Sequence, residues 1–587
     1  MTVTRPKVPI LIVRALVLLV LLTLVVWPLA MLLLGSFRSA PPGYGGVWTT
    51  QAPGSTLSAP GVAAALRHSV TLACLATVLS VPLAAFFAFV SERTDAPLRR
   101  LITPTMALMF AMPSLFYAIG YSLLGNQYTG LFNRSWQWLS DSTAAPVNIE
   151  SWYGVVIVTV FRTTAFLYLY LLGPVRSTNR TLEDASRTCG VAPFMTVVRV
   201  TLPSLIPALG SALLLSLVGG LEAFDVVLIL GAPAHIGVVA TRIFEFIQGS
   251  MPPDYMRASF LSSILALVVA GLTLAQLASY DSRRFVTVGG KPHRNRRLRL
   301  GHARWPVGAW IAVWLLAAQV LPIAALVYSS VQPAPGVFGT LTLSHYFALF
   351  ERDDVRNALA TTILLGLVVG GCSMALGLVC VLTERRAPPW LGRALRLIAM
   401  APLAMPGIVT PLAITWAYVS IPGLRALYGT VWLMAVSLMA TIMPLSTQLA
   451  RAAEQQLSSE LYEAALTAGA SPLRASIDIT LRLIGRTFLA GWYIAAIVVA
   501  GNLDVPLLLG SPDLNTVAGK VYELNQLGQT SISAALLITL IALIGAGGAT
   551  VYGVGLLLSY LRTRRHHGRA AVLAQDIAPL NWSGRVS

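Results

Sequence analysis

Charge is scarce in this chain, and negative charge scarcest: 11% of its 587 residues are Asp, Glu, Lys or Arg, and only 23 are acidic. With 56% hydrophobic residues, a soluble chain of this length would hold more apolar surface than it could hide, so the composition points to a bilayer. Cysteine is thin as well. Cys74, Cys189, Cys372 and Cys380 lack metal-ligand spacing and imply no disulfide framework, and three of them (Cys74, Cys372, Cys380) lie in apolar runs, where they are expected to be small buried hydrophobes. The sequence devices of enzymes are missing too. Lys291 and Lys520 follow glycines, but Pro292 and Val521 come next and the earlier glycine of a phosphate loop is absent. Neither His-Glu-x-x-His nor Gly-x-Ser-x-Gly occurs. His293, His302, His566 and His567 lie in basic segments and His68, His235 and His345 near the outer ends of apolar runs, so structural roles are expected for them. No catalytic residue, metal site or bound cofactor is expected on this chain.

What the chain does have is a series of apolar runs long enough to cross a bilayer, which takes about 20 residues. Arg5, Lys7 and Arg14 precede the first, at 15–34. A secretory signal peptide shares that arrangement, but its apolar region is shorter and ends in a small-x-small site, so a retained span is expected. Further runs lie near 68–90, 101–125, 153–175, 204–230 and 258–280, then near 307–330, 359–382, 397–420, 429–450, 486–510 and 531–558. The expectation is an all-α polytopic membrane protein of about 12 transmembrane helices. The net charge of +18 does not indicate a nucleic-acid partner, because basic patches on a polyanion binder would not alternate with spans of this kind.

Basic residues set the layout. The stretch 281–304 carries Arg283, Arg284, Lys291, Arg294, Arg296, Arg297, Arg299 and Arg304 against one acid, Asp281. The expected organisation is a first six-span module over 1–280, a basic linker over 281–304, a second six-span module over 305–561 and a basic tail over 562–587. Placing both termini in the cytoplasm puts there the linker, the tail, Arg93, Arg99 and Arg100, and their counterparts Arg385, Arg386, Arg393 and Arg396, as the positive-inside bias requires.

The halves repeat. Asp225, Val226, Leu230, Gly231 and Pro233 match Asp504, Val505, Leu509, Gly510 and Pro512 at a constant offset of 279, a register expected to be kept across a whole helix. Upstream, Ser91-Glu92-Arg93 pairs with Thr383-Glu384-Arg385, and Met112-Pro113 with Met405-Pro406. An even number of spans per module keeps both modules the same way up, so these are two parallel six-helix repeats, with a pathway expected at their interface. The outer loop between the third and fourth spans breaks the symmetry, at about 126–152 in the first half and 421–427 in the second, and an asymmetric partner outside could use that difference.

The most distinctive repeat is a polar island on the cytoplasmic side. In the first half it runs through Glu183, Asp184, Ala185, Ser186 and Gly190 to Val200, Thr201, Leu202 and Pro203; in the second, through Glu463, Ala464, Ala465 and Gly469 to Ile479, Thr480 and Leu481. The spacing predicts a short helix, a turn at Gly190 or Gly469, and a second short helix from Pro193 or Pro472. One copy alone would be an ordinary amphipathic loop at the membrane surface; two in fixed register are not.

An acid followed by two small residues, glycine six positions after the acid, and then Ile-x-Leu-Pro resembles the signature of the permease subunits of ATP-binding-cassette importers. The first copy departs at Asp184, Ser186 and Val200, and the second has Arg482 where proline is expected. The resemblance implies a type I importer permease fold in the bacterial inner membrane and identifies Glu183, Asp184, Ala185, Ser186, Gly190, Leu202, Pro203, Glu463, Ala464, Ala465, Gly469 and Leu481 as ATPase-coupling loops. It implies two ATP-binding-cassette ATPase subunits as partners, with ATP bound on them, and a substrate-binding protein outside. Fused double permeases are typical of importers for ferric iron, thiamine and 2-aminoethylphosphonate, with polyamine importers as unfused relatives. The segments after Asp225 look most like the ferric-iron branch.

An ion-coupled secondary transporter is the competing class, since it too is built from repeats with ionisable residues near the midplane. Glu222, Asp225 and Asp504, late in the fifth span of each half, are candidates for the pathway; the alternative is that they cap a helix end or bond to a neighbouring helix. Arg162, in the fourth span, is expected to be paired inside the bundle.

Overall fold

The computed structural model describes residues 7–178, 180–279, 298–455, 467–469, 482–511 and 514–576. In the first half the helices are α1 (Leu11–Gly35), α2 (Val62–Arg93), α3 (Arg99–Ala111), α4 (Ser114–Gly125), α5 (Leu131–Ser140), α6 (Trp152–Ser177), α7 (Arg180–Thr188), α8 (Phe194–Leu221), α9 (Val239–Gln248) and α10 (Tyr255–Ser279). The second half supplies α11 (Gly301–Val331), α12 (Asp353–Arg386), α13 (Pro389–Met400), α14 (Val409–Val419), α15 (Val431–Glu454), α16 (Arg482–Ala500), α17 (Asp504–Leu509), α18 (Val517–Gln526) and α19 (Thr530–Asp576).

Among the described residues nine helices are long and apolar enough to cross a membrane. The runs at 101–125 and 397–420, each expected as one span, are instead broken. The α3–α4 pair bends by 101° and the α13–α14 pair by 115°, at Met112-Pro113 and Met405-Pro406. Proline removes a backbone donor and forces the residue before it out of the helical region, and Met112 is extended at ψ 138°. The fifth span is also shorter than expected in both halves. Helix α8 stops at Leu221 and α16 at Ala500, so the repeat around Asp225 and Asp504 is not one helix but a break followed by a short new one. Gly220 lies against Ala73 of α2, where a Cβ would come within 2.5 Å of the Ala73 Cα, and Gly501 against Pro113, where a Cβ would come within 2.4 Å of Cγ. Asn502 Oδ1 then accepts from Val505 N (3.0 Å) to start α17.

Within each half α2 packs on α6 and α8, and α12 on α15 and α16. Small residues make the contacts close, as expected where lipid gives helices no hydrophobic reason to associate. Gly370 meets the Ala496 backbone and Gly377 the Ser446 backbone. Ser216 bonds to Thr77 (3.0 Å) and Ser80 (3.1 Å).

The first helix of each half packs against the other half. In α1 the turn Leu22–Val26 is π-helical and Trp27 N–H bonds to Leu22 O; in α11 the turn Leu316–Val320 is π-helical and Leu321 N–H bonds to Leu316 O. Pro28 and Pro322, which follow, have no N–H to give, so the carbonyls of Thr23 and Ala317 lack a helical donor. Tyr418 of α14 donates to Thr23 O (3.1 Å), and Tyr121 of α4 to Ala317 O (2.5 Å). Each half thus supplies the donor that the other half's first helix is missing. Trp27 Nε1 to Ala417 O (3.2 Å) and Tyr117 to Gln319 Oε1 (2.8 Å) reinforce the exchange.

Of the three cysteines expected to be buried, only Cys380 is; Cys74 and Cys372 are exposed on the outer faces of their spans. An apolar run looks the same from sequence whether a position faces protein or lipid.

Candidate functional site

The polar island of the first half folds as its spacing predicts. Helix α7 ends before Gly190, whose φ of +78° is the left-handed conformation that glycine adopts without a Cβ penalty, and a second helical turn opens at Pro193. Gly469, the matching residue of the second half, has φ +89°. Glu463, Ala464, Ala465 and Leu481 lie outside the described residues.

Helix α7 divides its residues between two faces. Glu183 points inward, accepting from the Thr201 hydroxyl (2.9 Å) and lying 3.4 Å from a guanidinium nitrogen of the buried Arg93. Ser186, the departure from the small-residue pattern, bonds to Thr196 Oγ1 (3.1 Å) and so ties the two helical arms together. Its counterpart and that of Thr196 are Ala465 and Ala475, so both partners of the bond change to alanine in the second copy. Asp184, Ala185, Cys189, Gly190, Leu202 and Pro203 are exposed. Leu182 and Phe194 are exposed with them, and sequence reasoning had not singled these two out. The available signal was that both positions stay apolar in the second copy, as Leu461 and Leu473.

Beside this loop the second and fourth spans of each half are clamped by ion pairs. Glu92 of α2 meets Arg176 of α6 (2.8 Å), and Glu384 of α12 meets Arg451 of α15 (2.6 Å) and Arg396 of α13. The repeated glutamate, Glu92 or Glu384, thus ties the second span to the fourth in each half.

The candidate pathway residues come together between the halves. Arg162 of α6 is within electrostatic range of Asp225 and Asp504, and Asp504 within range of Glu222. Asp504 is lodged against Gly407, where a Cβ would sit 1.7 Å from its Oδ2, and Oδ1 is enclosed without a hydrogen-bond partner among the described residues. One guanidinium thus lies near two aspartates, one from each module, with Glu222 close to the second of them. Among the described residues no group of three His, Cys, Asp or Glu side chains is placed to hold a metal. Toward the end of the molecule opposite α7, a cavity of about 460 Å³ is lined from both halves, by Ser122, Asn126 and Glu150 and by Asn525, Gln526 and Thr530. His68 and His345, near that end, bond to the carbonyls of Gly237 (3.0 Å) and Gln332 (2.8 Å).

Twinned bundles of broken helices meeting at an interface with buried ionisable groups define a polytopic membrane protein of two repeated modules. Residues 80–286 and 363–554 each match the family described as the binding-protein-dependent transport system inner membrane component. The chain belongs to that family of bacterial inner-membrane transport proteins, as a fused two-module permease. It is 24% identical over 399 residues to the ferric transport system permease protein of Actinobacillus pleuropneumoniae, covering 67% of this chain and 57% of that one. An Fe(3+)-transport system permease protein of Haemophilus influenzae is 23% identical over 475 residues, covering 79% of this chain and 84% of its own length. The molybdenum transport system permease protein of Mycobacterium tuberculosis is 30% identical over 225 residues, 37% of this chain and 79% of that one. The chain spans about half the length of the first curated relatives it matches, 52% and 57%.

Proposed function

We propose that this chain forms the translocation pathway of an ATP-binding-cassette importer and couples it to separate ATPase subunits, with ferric iron as cargo. The observation that carries the reading is the left-handed glycine repeated in register at Gly190 and Gly469, which in the described copy ends a short helix with Asp184, Ala185, Leu182 and Phe194 presented outward. A permease without a phosphate loop needs a surface on which nucleotide-driven movement can act, and the exposed loop around α7, with its sequence counterpart around Gly469, would offer one to each ATPase subunit. The positive-inside bias supports placing them, the linker and both termini in the cytoplasm. A substrate-binding protein then delivers cargo on the opposite face, and ATPase closure rocks one module against the other around Arg162, Asp225 and Asp504. Catalysis belongs to the ATPase partners. The ferric names of the long-matching relatives support the cargo, which would pass as substrate and not reside as a cofactor.

The buried charges favour one second reading, an ion-coupled carrier, and a single experiment separates the two. In proteoliposomes containing the chain, ATPase subunits and binding protein, radiolabelled ferric iron is expected to enter only with ATP and only when the ATPase subunits are present. Uptake driven by an ion gradient without them would establish the carrier and remove the importer reading.

A further inference from the structure

The chain re-enters the described residues after its linker at Leu298, which pairs with the end of α2. Leu298 N–H donates to Arg93 O (2.8 Å), Asp95 N–H donates to Leu298 O (3.2 Å), and Leu300 N–H donates to Asp95 Oδ1 (2.9 Å). Helix α11 then packs on the same loop, where a Cβ at Gly308 would come within 2.4 Å of Pro97 Cγ. Arg93 itself is 5% exposed, donates to the carbonyls of Val175 (2.7 Å) and Thr178 (3.1 Å) at the end of α6, and faces Glu183 of α7. One arginine therefore joins four things: the second span, the end of the fourth span, the docking helix, and the point where the second module begins.

We propose that Arg93, through its ion pair with Glu183, is the positioning residue that passes displacement of the first docking helix into α2 and, through the strand pairing at Leu298, into the first span of the second module. The proposal rests on the importer reading above. The second half differs in sequence at this place. The residue matching Glu183 is Tyr462, and Arg385, which matches Arg93, is paired with Glu454 of α15. The arginine of the first half is thus paired with an acid of the loop helix, whereas among the described residues that of the second half is paired with an acid on the fourth span.

Glu183→Gln isolates the pair, because a glutamine oxygen still accepts from Thr201 while the charge facing Arg93 is lost. The test uses the full chain, with the exposed Cys74, Cys189 and Cys372 changed to serine, assembled with its ATPase subunits in lipid nanodiscs and spin-labelled at Tyr128→Cys and Leu527→Cys, exposed positions in the two halves. Pulsed EPR distances are recorded without nucleotide and with ATP plus vanadate, alongside ATP turnover. In Glu183→Gln the population that shifts with nucleotide is expected to fall about five-fold or more, and by more than ATP turnover falls, with the ATPase subunits still bound. Leu298→Pro, which removes the donor to Arg93 O, is expected to reduce the shift in the same direction. Arg93→Lys alone is expected to reduce the shift, in part through its bonds to Val175 and Thr178, and adding Glu183→Gln to Arg93→Lys is expected to lower it no further. A wild-type shift in Glu183→Gln, additive effects in the double variant, or loss of the ATPase subunits from Glu183→Gln would each overturn the proposal. Absence of any nucleotide-driven shift in the unsubstituted chain would instead bring down the importer reading on which it depends.

Discussion

Replacing Gly469 with tryptophan is expected to uncouple the second docking loop while leaving membrane insertion intact. The residue has φ +89° with nothing within 4 Å of the position a Cβ would take, so the penalty lies in the backbone and not in a clash. Holding a bulky L-residue in that conformation costs on the order of 1–3 kcal/mol. Spent on the equilibrium between docked and undocked loop geometries, that cost is about 5- to 150-fold. Nucleotide-driven uptake should fall within that range, and substrate-stimulated ATPase activity should fall with it. Normal uptake by an inserted Gly469→Trp permease would show that the turn is not part of the docking surface.

Gly407→Val is expected to have the largest effect on the assembled bundle. A Cβ there would lie 1.7 Å from Asp504 Oδ2 and 2.7 Å from its Cγ, so either the carboxylate leaves its place or the α13–α14 break opens. Overpacking of a close contact typically costs about 1–3 kcal/mol, and here the displaced atom belongs to an enclosed acidic side chain whose other oxygen has no hydrogen-bond partner among the described residues, which places the cost at the upper end. The matching residue in the first half is Ser114, which already carries a side chain at the equivalent step after Pro113. Thermal unfolding in detergent should therefore show a lowered midpoint for Gly407→Val and little change for Ser114→Ala. Equal midpoints would mean that the bundle tolerates a side chain beside Asp504.

Much of this architecture was legible before any coordinates. Apolar length, the arginine distribution and the constant offset of 279 are properties of sequence alone, and they led to two modules, their repeat and the pairing of Asp225 with Asp504. The turn at Gly190 was legible because only glycine takes φ +78° cheaply after a run of helix formers. The breaks at Met112-Pro113 and Met405-Pro406 were not, because hydropathy continues through them; the signal was a proline pair at matching positions, and prolines also occur inside helices that remain continuous, such as Pro82 in α2. The exchange of first helices left only Pro28 and Pro322 as a trace, and these do not name their partners, since Thr23 and Ala317 act through backbone carbonyls that any residue has. Likewise the division of labour between Glu183 and Asp184 depends on which side of α7 each occupies relative to Arg93, a contact across 90 residues of chain.

The central claim is that the twin loops face the cytoplasm and are covered there by ATPase subunits. Cys189 supplies a native probe, exposed one residue before Gly190, while Cys380 is buried and Cys74 and Cys372 lie on the outer faces of membrane spans. A charged, membrane-impermeant thiol reagent applied to oriented membrane vesicles is predicted to label Cys189 in inside-out vesicles only, and to lose that labelling when the ATPase subunits are added. Labelling of Cys189 in right-side-out vesicles, or undiminished labelling in the presence of the ATPase subunits, would contradict the account.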